Sequence, residues 1–272
     1  MEASLEEPIY RKQLPVNCVD FTSREGKEIF TEALRSGHME CFFKLVSQFR
    51  TQDEPPFCGL STLVMVLNAL SVDPGRVWKF PWRWYHERML ACRCRCTSVD
   101  TAAVDGITLD QFVCIAENNF LMAKTRRATA ELTAGEFRDV VKWVTRQEQT
   151  ILVVTYSRES LNQTGDGHFS PIGGYHADKD LVLVLDTARY KYPPHWVPLP
   201  ALVTSMKGID QDTGKPRGFV LLSKGSTHQH RRRTSEKCTA VIASYVQKLV
   251  SFLCSEHSKW HLQIWLKVLF GI

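Results

Sequence analysis

Residues 51–70 read TQDEPPFCGLSTLVMVLNAL and carry the clearest helix signal in the chain. Apolar side chains recur there at helical spacing, at Leu60, Leu63, Val64, Leu67 and Leu70. Two consecutive prolines precede them, and proline is disfavoured inside a helix but tolerated in its first turn. The pattern therefore predicts a helix that begins near Cys58.

A thiol at the start of a helix has two interpretations. The unpaired N–H groups and the positive end of the helix dipole favour the thiolate over the neutral thiol. Cysteine is also a common small apolar residue of protein cores. The position of Cys58 alone does not decide between a nucleophile and a packing residue.

Residues 168–186 read HFSPIGGYHADKDLVLVLD, which is two β-type runs around a polar turn. If the turn closes a hairpin that places His168 opposite Asp186, their Cβ atoms lie about 4.5–5.5 Å apart. A carboxylate at that distance can orient an imidazole. The alternative is a surface histidine and a strand-end aspartate that do not touch. The free cysteine at a helix start and Gly167 directly before the histidine favour the contact.

Cys58, His168 and Asp186 have the composition of a nucleophilic triad. The thiolate attacks, the imidazole takes and returns a proton, and the carboxylate fixes the imidazole tautomer. Gln52, six residues before the cysteine, can add its side-chain amide to the backbone N–H of Cys58 as donors to a tetrahedral oxyanion. This is the residue order of papain-type enzymes, although the papain signature around the cysteine is absent.

The chain is expected to be α+β, helical over about residues 1–149 and sheet-rich over about 150–224. Further helices are predicted from a cap at Thr22 or Ser23 to about Gly37, across 39–49, after a cap near Thr108, and across 131–147. The runs ILVVTY, SPIGGY, LVLVLD and GFVLLS predict short strands. Residues 225–238 are polar and basic, which predicts an exposed linker. An apolar helical stripe follows within 239–272.

Composition narrows the classes of partner. The chain has 272 residues, of which 44% are hydrophobic and 23% charged, and this composition excludes a disordered chain. Its net charge of +5 is too small for a dedicated nucleic-acid binder. We expect no nucleic-acid and no membrane partner, since no window approaches a spanning length. Nine cysteines without a secretory signal predict a reducing, cytoplasmic setting in which at least one thiol is free.

Three blocks of the sequence closely resemble the phytochelatin synthase family: TQDEPPFCGLSTLVMVLNALSVDPGRVWKFPWRWYHE, GDGHFSPIGGYHADKDLVLVLDTARYKYPPHWVPL and DQDTGKPRGFVLLSK. The resemblance covers about residues 5–224 and implies a papain-like catalytic domain over 1–224. It also implies transfer of γ-glutamylcysteine from glutathione through an acyl-cysteine, with release of glycine, in heavy-metal detoxification. Residues 239–272 would then be a short helical remnant of a longer C-terminal region.

The resemblance also assigns residues around the triad. Arg158, Arg217 and Gly167 match positions near the bound γ-Glu-Cys unit, and a guanidinium suits its α-carboxylate. Arg189 is a further candidate, for an activating ion pair. No cofactor is expected to be covalently bound. Cadmium, zinc or copper ions are expected as activators in the form of metal–glutathione thiolates, and a homodimer is one alternative for the oligomeric state.

A separate metal site is considered at Cys92, Cys94, Cys96 and Cys114, because closely spaced thiolates suit soft ions although C-x-C-x-C is not zinc-finger spacing. The alternative is a set of surface thiols beside arginines. Two other functions stay open: a peptidase that removes glycine from glutathione or its S-conjugates, and a non-catalytic metal–thiolate binding protein.

Overall fold

The computed structural model describes residues 11–90 and 97–225. Chain contacts divide at Gly225, so the described residues belong to the unit Met1–Gly225. Helices and an antiparallel sheet make up this unit, which confirms the α+β class. The predicted linker, apart from Gly225, and the predicted helix within 239–272 lie outside the described residues.

The first half of the described chain is mostly helical. Its elements are β1 (Val19–Asp20), α1 (Arg24–Arg35), α2 (Glu40–Val46), α3 (Cys58–Ala69), a 3-10 turn (Glu87–Met89), α4 (Val99–Asp105) and α5 (Leu109–Asn118). The predicted caps are confirmed. Ser23 accepts a hydrogen bond from the N–H of Gly26, and Thr108 forms a capping box with Gln111.

The second half supplies most of the strands. Its elements are β2 (Leu121–Arg127), α6 (Ala134–Val144), β3 (Thr150–Ser157), a 3-10 turn (Glu159–Leu161), β4 (Gly167–His176), β5 (Leu181–Val184), β6 (His195–Pro198), α7 (Leu199–Met206), β7 (Ile209–Asp210), β8 (Lys215–Pro216) and β9 (Gly218–Lys224). Seven strands form one antiparallel sheet in the order β1-β6-β5-β4-β3-β9-β2, and β7 pairs with β8.

Helices cover both faces of the sheet, so its central strands are buried on both sides. Along β3, Ile151 and Val153 pack into the cluster that contains α1, α2, α3 and α5. The intervening Leu152 and Val154 pack into the cluster that contains α6 and α7. Alternate side chains of a strand point to opposite faces. This explains why the sequence of β3 is a continuous apolar run rather than an alternating one.

The helix α3 is buried along its length, and every residue from Gly59 to Ala69 is withdrawn from solvent. Gly59 permits close packing beside Cys58: a Cβ at this position would lie 2.7 Å from the side chain of Ile107 and 3.3 Å from that of Phe169 on β4. α3 therefore lies directly against the strand that carries His168, and the fold brings the two segments together.

Two predictions about organisation are wrong. The strands β1 and β2 lie in the part of the chain expected to be helical. β2 joins the sheet by pairing with β9, which comes about a hundred residues later in the chain. The helix α7 lies in the part expected to be sheet. Local composition does not report these long-range pairings. No helix in the two described ranges has the length and hydropathy needed to cross a bilayer.

The predicted hairpin register is also wrong. His176 pairs with Leu181, and Gly174 pairs with Leu183, but the register then shifts so that Ile172 pairs with Val184. The hairpin pairing ends there, and His168 lies opposite Tyr156 of β3 instead. The shift is a bulge between residues 172 and 174, and a bulge adds an unpaired residue to one strand.

Candidate active site

Cys58 is the first residue of α3, as predicted. Phe57 occupies the N-cap position and makes no side-chain cap, so no cap competes for the first N–H groups of the helix. Burial by itself raises the pKa of Cys58, but His168, the backbone N–H of Phe169 and Arg158 outweigh it and lower the pKa below the ordinary cysteine value. The site therefore favours a thiolate.

His168 and Asp186 are in direct contact although their strands do not pair there. His168 Nε2 lies 2.7 Å from Asp186 Oδ1, and both side chains are buried. This leaves Nδ1 as the ring nitrogen that can serve Cys58. Burial and Arg158 lower the pKa of His168, but Asp186 and Cys58 raise it by more. The imidazolium form is stabilised beside the thiolate.

Arg158 lies behind the triad rather than only along the pocket. Its Nη2 donates to Asp186 Oδ2 at 2.6 Å, and its Nη1 donates to Gln163 Oε1 at 2.6 Å. Burial raises the pKa of Asp186, but His168 and Arg158 together bring it well below the ordinary range. Arg158 therefore holds the orienting carboxylate ionised. Its assignment to substrate binding stays a prediction.

Gln52 lies at the pocket with its side chain anchored. Its Oε1 accepts a hydrogen bond from Thr187, and its Nε2 donates to the carbonyl of Pro55 at 2.6 Å and to that of Glu54 at 3.1 Å. The hydroxyl of Tyr190 is 3.4 Å from the same nitrogen. An oxyanion would compete with these carbonyls, so the role of Gln52 as a donor stays a prediction.

Arg217 and Gly167 are neighbours at the pocket. A Cβ on Gly167 would lie 2.3 Å from Arg217 Nη1, so glycine makes room for the guanidinium. Arg217 Nη2 donates to Asp166 at 3.0 Å, and Nη1 is 3.9 Å from Asp210. Its Nε is buried without a hydrogen-bond partner among the described residues. Arg217 lines the cavity, but this nitrogen is itself shielded from solvent.

Neither Arg189 nor Cys114 lines the cavity at Cys58. Arg189 stacks over the ring of Phe49 at 4.9 Å and has no ion pair with any residue in 11–90 or 97–225. Cys114 lies on α5, where Asn118 Nδ2 is 3.5 Å from its sulfur. Cys92, Cys94 and Cys96 lie outside the described residues, so the proposed metal site there is untested.

A cavity of about 530 Å³ lies at Cys58 and His168. The predicted residues that line it are Gln52, Cys58, Arg158, Gly167, His168 and Arg217. Sequence reasoning missed seven charged residues that also line it: Asp105, Asp166, Asp210, Asp212, Arg11, Lys12 and Lys191. The backbone N–H groups of Arg11 and Lys12 bond to the carbonyls of Tyr190 and Lys191. Only the charge of these residues was visible in the sequence, not their position.

The chain is similar to known proteins of one family. The sequence profile of the family described as phytochelatin synthase matches residues 9–219. Glutathione gamma-glutamylcysteinyltransferase 3 of Lotus japonicus is 52% identical over 217 residues, which are 79% of this chain and 44% of that protein. Glutathione gamma-glutamylcysteinyltransferase 2 of Arabidopsis thaliana is 50% identical over 216 residues, which are 79% of this chain and 47% of that protein.

The similarity extends beyond plants. The glutathione gamma-glutamylcysteinyltransferase of Schizosaccharomyces pombe is 46% identical over 218 residues, which are 80% of this chain and 52% of that protein. The chain thus spans about half the length of the curated relatives it matches. Because the profile matches residues 9–219, which is most of the chain, the chain belongs to the phytochelatin synthase family.

Proposed function

We propose that this chain transfers γ-glutamylcysteine from glutathione to a second glutathione or to a growing oligomer, through a thioester on Cys58. The observation that carries this proposal is the contact of His168 with Asp186 beside a cysteine of lowered pKa. The relatives are named glutathione gamma-glutamylcysteinyltransferases, which supports glutathione as the substrate and γ-glutamylcysteine transfer as the reaction. The buried helix with Cys58 packed on a sheet with His168 also supports a papain-like fold.

In the acylation step, the Cys58 thiolate attacks the carbonyl carbon of the cysteinyl residue of glutathione. The tetrahedral intermediate carries a negative oxygen, for which the backbone N–H of Cys58 and the Gln52 amide are the nearest candidate donors. The carbon–nitrogen bond to glycine then breaks, and the His168 imidazolium gives its proton to the departing amine. The products are free glycine and a γ-Glu-Cys thioester.

In the transfer step, the α-amino group of the acceptor attacks the thioester carbonyl. His168, now neutral, takes a proton from the attacking amine, and Cys58 leaves as the thiolate. The new amide bond extends the acceptor by one γ-Glu-Cys unit, giving (γ-Glu-Cys)n-Gly. If water attacks instead, the product is γ-Glu-Cys, and the same site acts as a peptidase.

The charges in the cavity suit a substrate of this kind. Glutathione carries two carboxylates, and a guanidinium can bind a carboxylate through two parallel hydrogen bonds. Arg217, which lines the cavity beside Gly167, is the candidate for the α-carboxylate of the donor. Lys12 and Lys191 also line the cavity and have no ion pair with any carboxylate of the described ranges. We assign them to carboxylates of the acceptor.

Heavy-metal ions enter this proposal as part of the substrate. An ion such as cadmium binds the thiolates of two glutathione molecules, and this bis-thiolate is the proposed acceptor. Such an acceptor keeps its α-amino groups free for attack on the thioester. A cytoplasmic location, where glutathione thiols stay reduced, is part of the same proposal.

The experiment incubates the purified protein with glutathione, with and without Cd²⁺, and measures free glycine and the oligomers. We expect glycine release and oligomers longer than glutathione, increased by Cd²⁺. Cys58→Ser should abolish both, whereas Cys18→Ser, which changes a buried thiol away from the cavity, should keep them. Glycine with only γ-Glu-Cys would indicate the peptidase. No glycine release from glutathione or an S-conjugate would overturn the proposal.

A further inference from the structure

A second cluster of chemically active side chains lies beside the active-site helix and is not used by the proposed reaction. Asp53 belongs to the loop before α3, and His86 and Glu87 lie at the 3-10 turn that follows α3 in the chain. One ligand atom from each lies within 4.8 Å of the others. His86 Nε2 is 3.1 Å from Asp53 Oδ2 and 3.6 Å from Glu87 Oε2.

The 3.6 Å between His86 Nε2 and Glu87 Oε2 fits two ligands of one small ion, and the 3.1 Å between His86 Nε2 and Asp53 Oδ2 is slightly shorter than such ligands require. Two ligands that are each about 2.0–2.2 Å from a tetrahedral zinc ion lie about 3.3–3.6 Å from each other. An imidazole nitrogen with two carboxylate oxygens is a donor set that zinc accepts. The ring of His86 is stacked on Trp78, with ring planes 20° apart, which restricts the orientation of the imidazole.

Glu87 is the second observation that points to a ligand. Its side chain is fully buried, with Oε1 held at 2.7 Å by the hydroxyl of Ser61. Its Oε2 faces the cluster and accepts no hydrogen bond from any described residue. The buried carboxylate is thus incompletely stabilised on the side that faces His86.

Arg50 now supplies the positive charge in this cluster. Its Nη2 lies 2.8 Å from Asp53 Oδ1 and 2.8 Å from Glu87 Oε2, but the second contact lacks hydrogen-bond geometry. Its Nε is buried without a hydrogen-bond partner in the described ranges. A guanidinium that leaves both itself and Glu87 partly unsatisfied is a replaceable cation.

We propose that Asp53, His86 and Glu87 bind one divalent ion of the zinc type, with Arg50 as a built-in competitor that moves aside. His86 and Asp53 are 29% and 38% exposed, so the ion can enter and water can complete its coordination. Asp53 directly follows Gln52, and Glu87 is bonded to Ser61 on the helix that begins at Cys58. A bound ion would therefore link the two segments that hold the active site, a consequence that rests on the proposed function.

The test measures Zn²⁺ binding by calorimetry in a background with serine at Cys58, Cys92, Cys94, Cys96, Cys114, Cys238 and Cys254, which leaves only the buried thiols Cys18 and Cys41. Co²⁺ serves as a spectroscopic probe, because an N/O site gives visible d–d bands without sulfur charge transfer. We expect one equivalent to bind, His86→Ala to weaken binding by about tenfold or more, and Arg50→Gln to tighten it. Asp73→Asn, which changes an exposed carboxylate paired with Arg83, is the matched control.

Absence of one-equivalent binding, or equal binding by the background and by His86→Ala, would overturn the site. If Arg50→Gln does not bind Zn²⁺ more tightly than the background protein does, Arg50 does not compete with the ion. Thermal unfolding of each variant shows whether it is folded. Glycine release by His86→Ala in the Cys58-containing protein is measured separately. If the chain has no metal site, it still releases glycine. If the proposed function is wrong, the chain still binds Zn²⁺. The two outcomes are therefore distinguishable.

Discussion

His168 Nε2 lies 2.7 Å from Asp186 Oδ1, while the other oxygen of that carboxylate accepts a hydrogen bond from Arg158 at 2.6 Å. Asp186 therefore has one oxygen committed to the imidazole and the other to a guanidinium. All three side chains are buried, so their charges are weakly screened by water. This arrangement fixes which ring nitrogen faces Cys58 and keeps Asp186 ionised.

The first prediction concerns thiol reactivity. Iodoacetamide at neutral pH should label Cys58 faster than Cys18 or Cys41, because only a thiolate is the nucleophile. The pKa of Cys58 is lowered, whereas burial raises the pKa of Cys18 and that of Cys41 to about 12. Mass spectrometry of peptides after short labelling times gives the three rates. Equal labelling of the three cysteines would contradict a thiolate at Cys58.

The second prediction concerns pH. The lowered pKa of Cys58 and the raised pKa of His168 define a plateau in which the thiolate–imidazolium pair exists. The rate of acylation should fall at acid pH as Cys58 is protonated and at alkaline pH as His168 loses its proton. Asp186→Asn removes the negative charge that raises the pKa of His168, so it should move the alkaline limb to lower pH and lower the rate by about 10²–10⁴.

The pH profile of glycine release by wild type and Asp186→Asn checks this. Circular dichroism shows whether the variant is folded. Glu32→Gln is a control, because Glu32 pairs with a different histidine, His176, away from the cavity. An alkaline limb at the same pH in wild type and Asp186→Asn would show that the carboxylate does not set the pKa of His168.

The third prediction separates the structural role of Arg158 from a role in substrate binding. Arg158→Met leaves a buried carboxylate without one of its partners, and such a loss costs about 3–5 kcal/mol in the free energy of unfolding. Urea unfolding measures it. Arg126→Met removes an exposed pair with Glu136 and should cost no more than about 1 kcal/mol. Similar costs in the two variants would contradict the contact between Arg158 and Asp186.

The fourth prediction concerns the close approach of Gly167 and Arg217. Gly167→Ala places a methyl group where Arg217 Nη1 now lies, so the guanidinium must shift. We expect KM for glutathione to rise about tenfold, with a smaller change in kcat. Gly135→Ala is the control, since the only neighbour of an added Cβ there is Thr133 Oγ1 at 3.8 Å. An unchanged KM in Gly167→Ala would remove Arg217 from the substrate site.

The parts of the site that the sequence predicts are those with local signals. The start of α3 at Cys58 follows from two prolines and an apolar helical period. The contact of His168 with Asp186 was expected from a hairpin, and it forms even though the expected register does not. The bulge between residues 172 and 174 has no clear signal in the sequence, because glycines also occur in ordinary turns.

The remainder depends on contacts between distant parts of the chain. β2 pairs with β9 about a hundred positions later, a pairing that no local window contains. The contact of Arg158 with Asp186 and the position of Asp210 near Arg217 arise in the same way. Charged residues in loops look alike in a sequence, and only the folded chain shows which of them face one cavity.

The most direct test of the central claim is the mass of the intact protein after brief mixing with glutathione and quenching in acid. We expect the protein mass to increase by one γ-Glu-Cys acyl group, located on the peptide that contains Cys58, with one glycine released per adduct. Cys58→Ser should show neither. Glycine release by Cys58→Ser, or an adduct on a different residue, would contradict the assignment of Cys58 as the nucleophile.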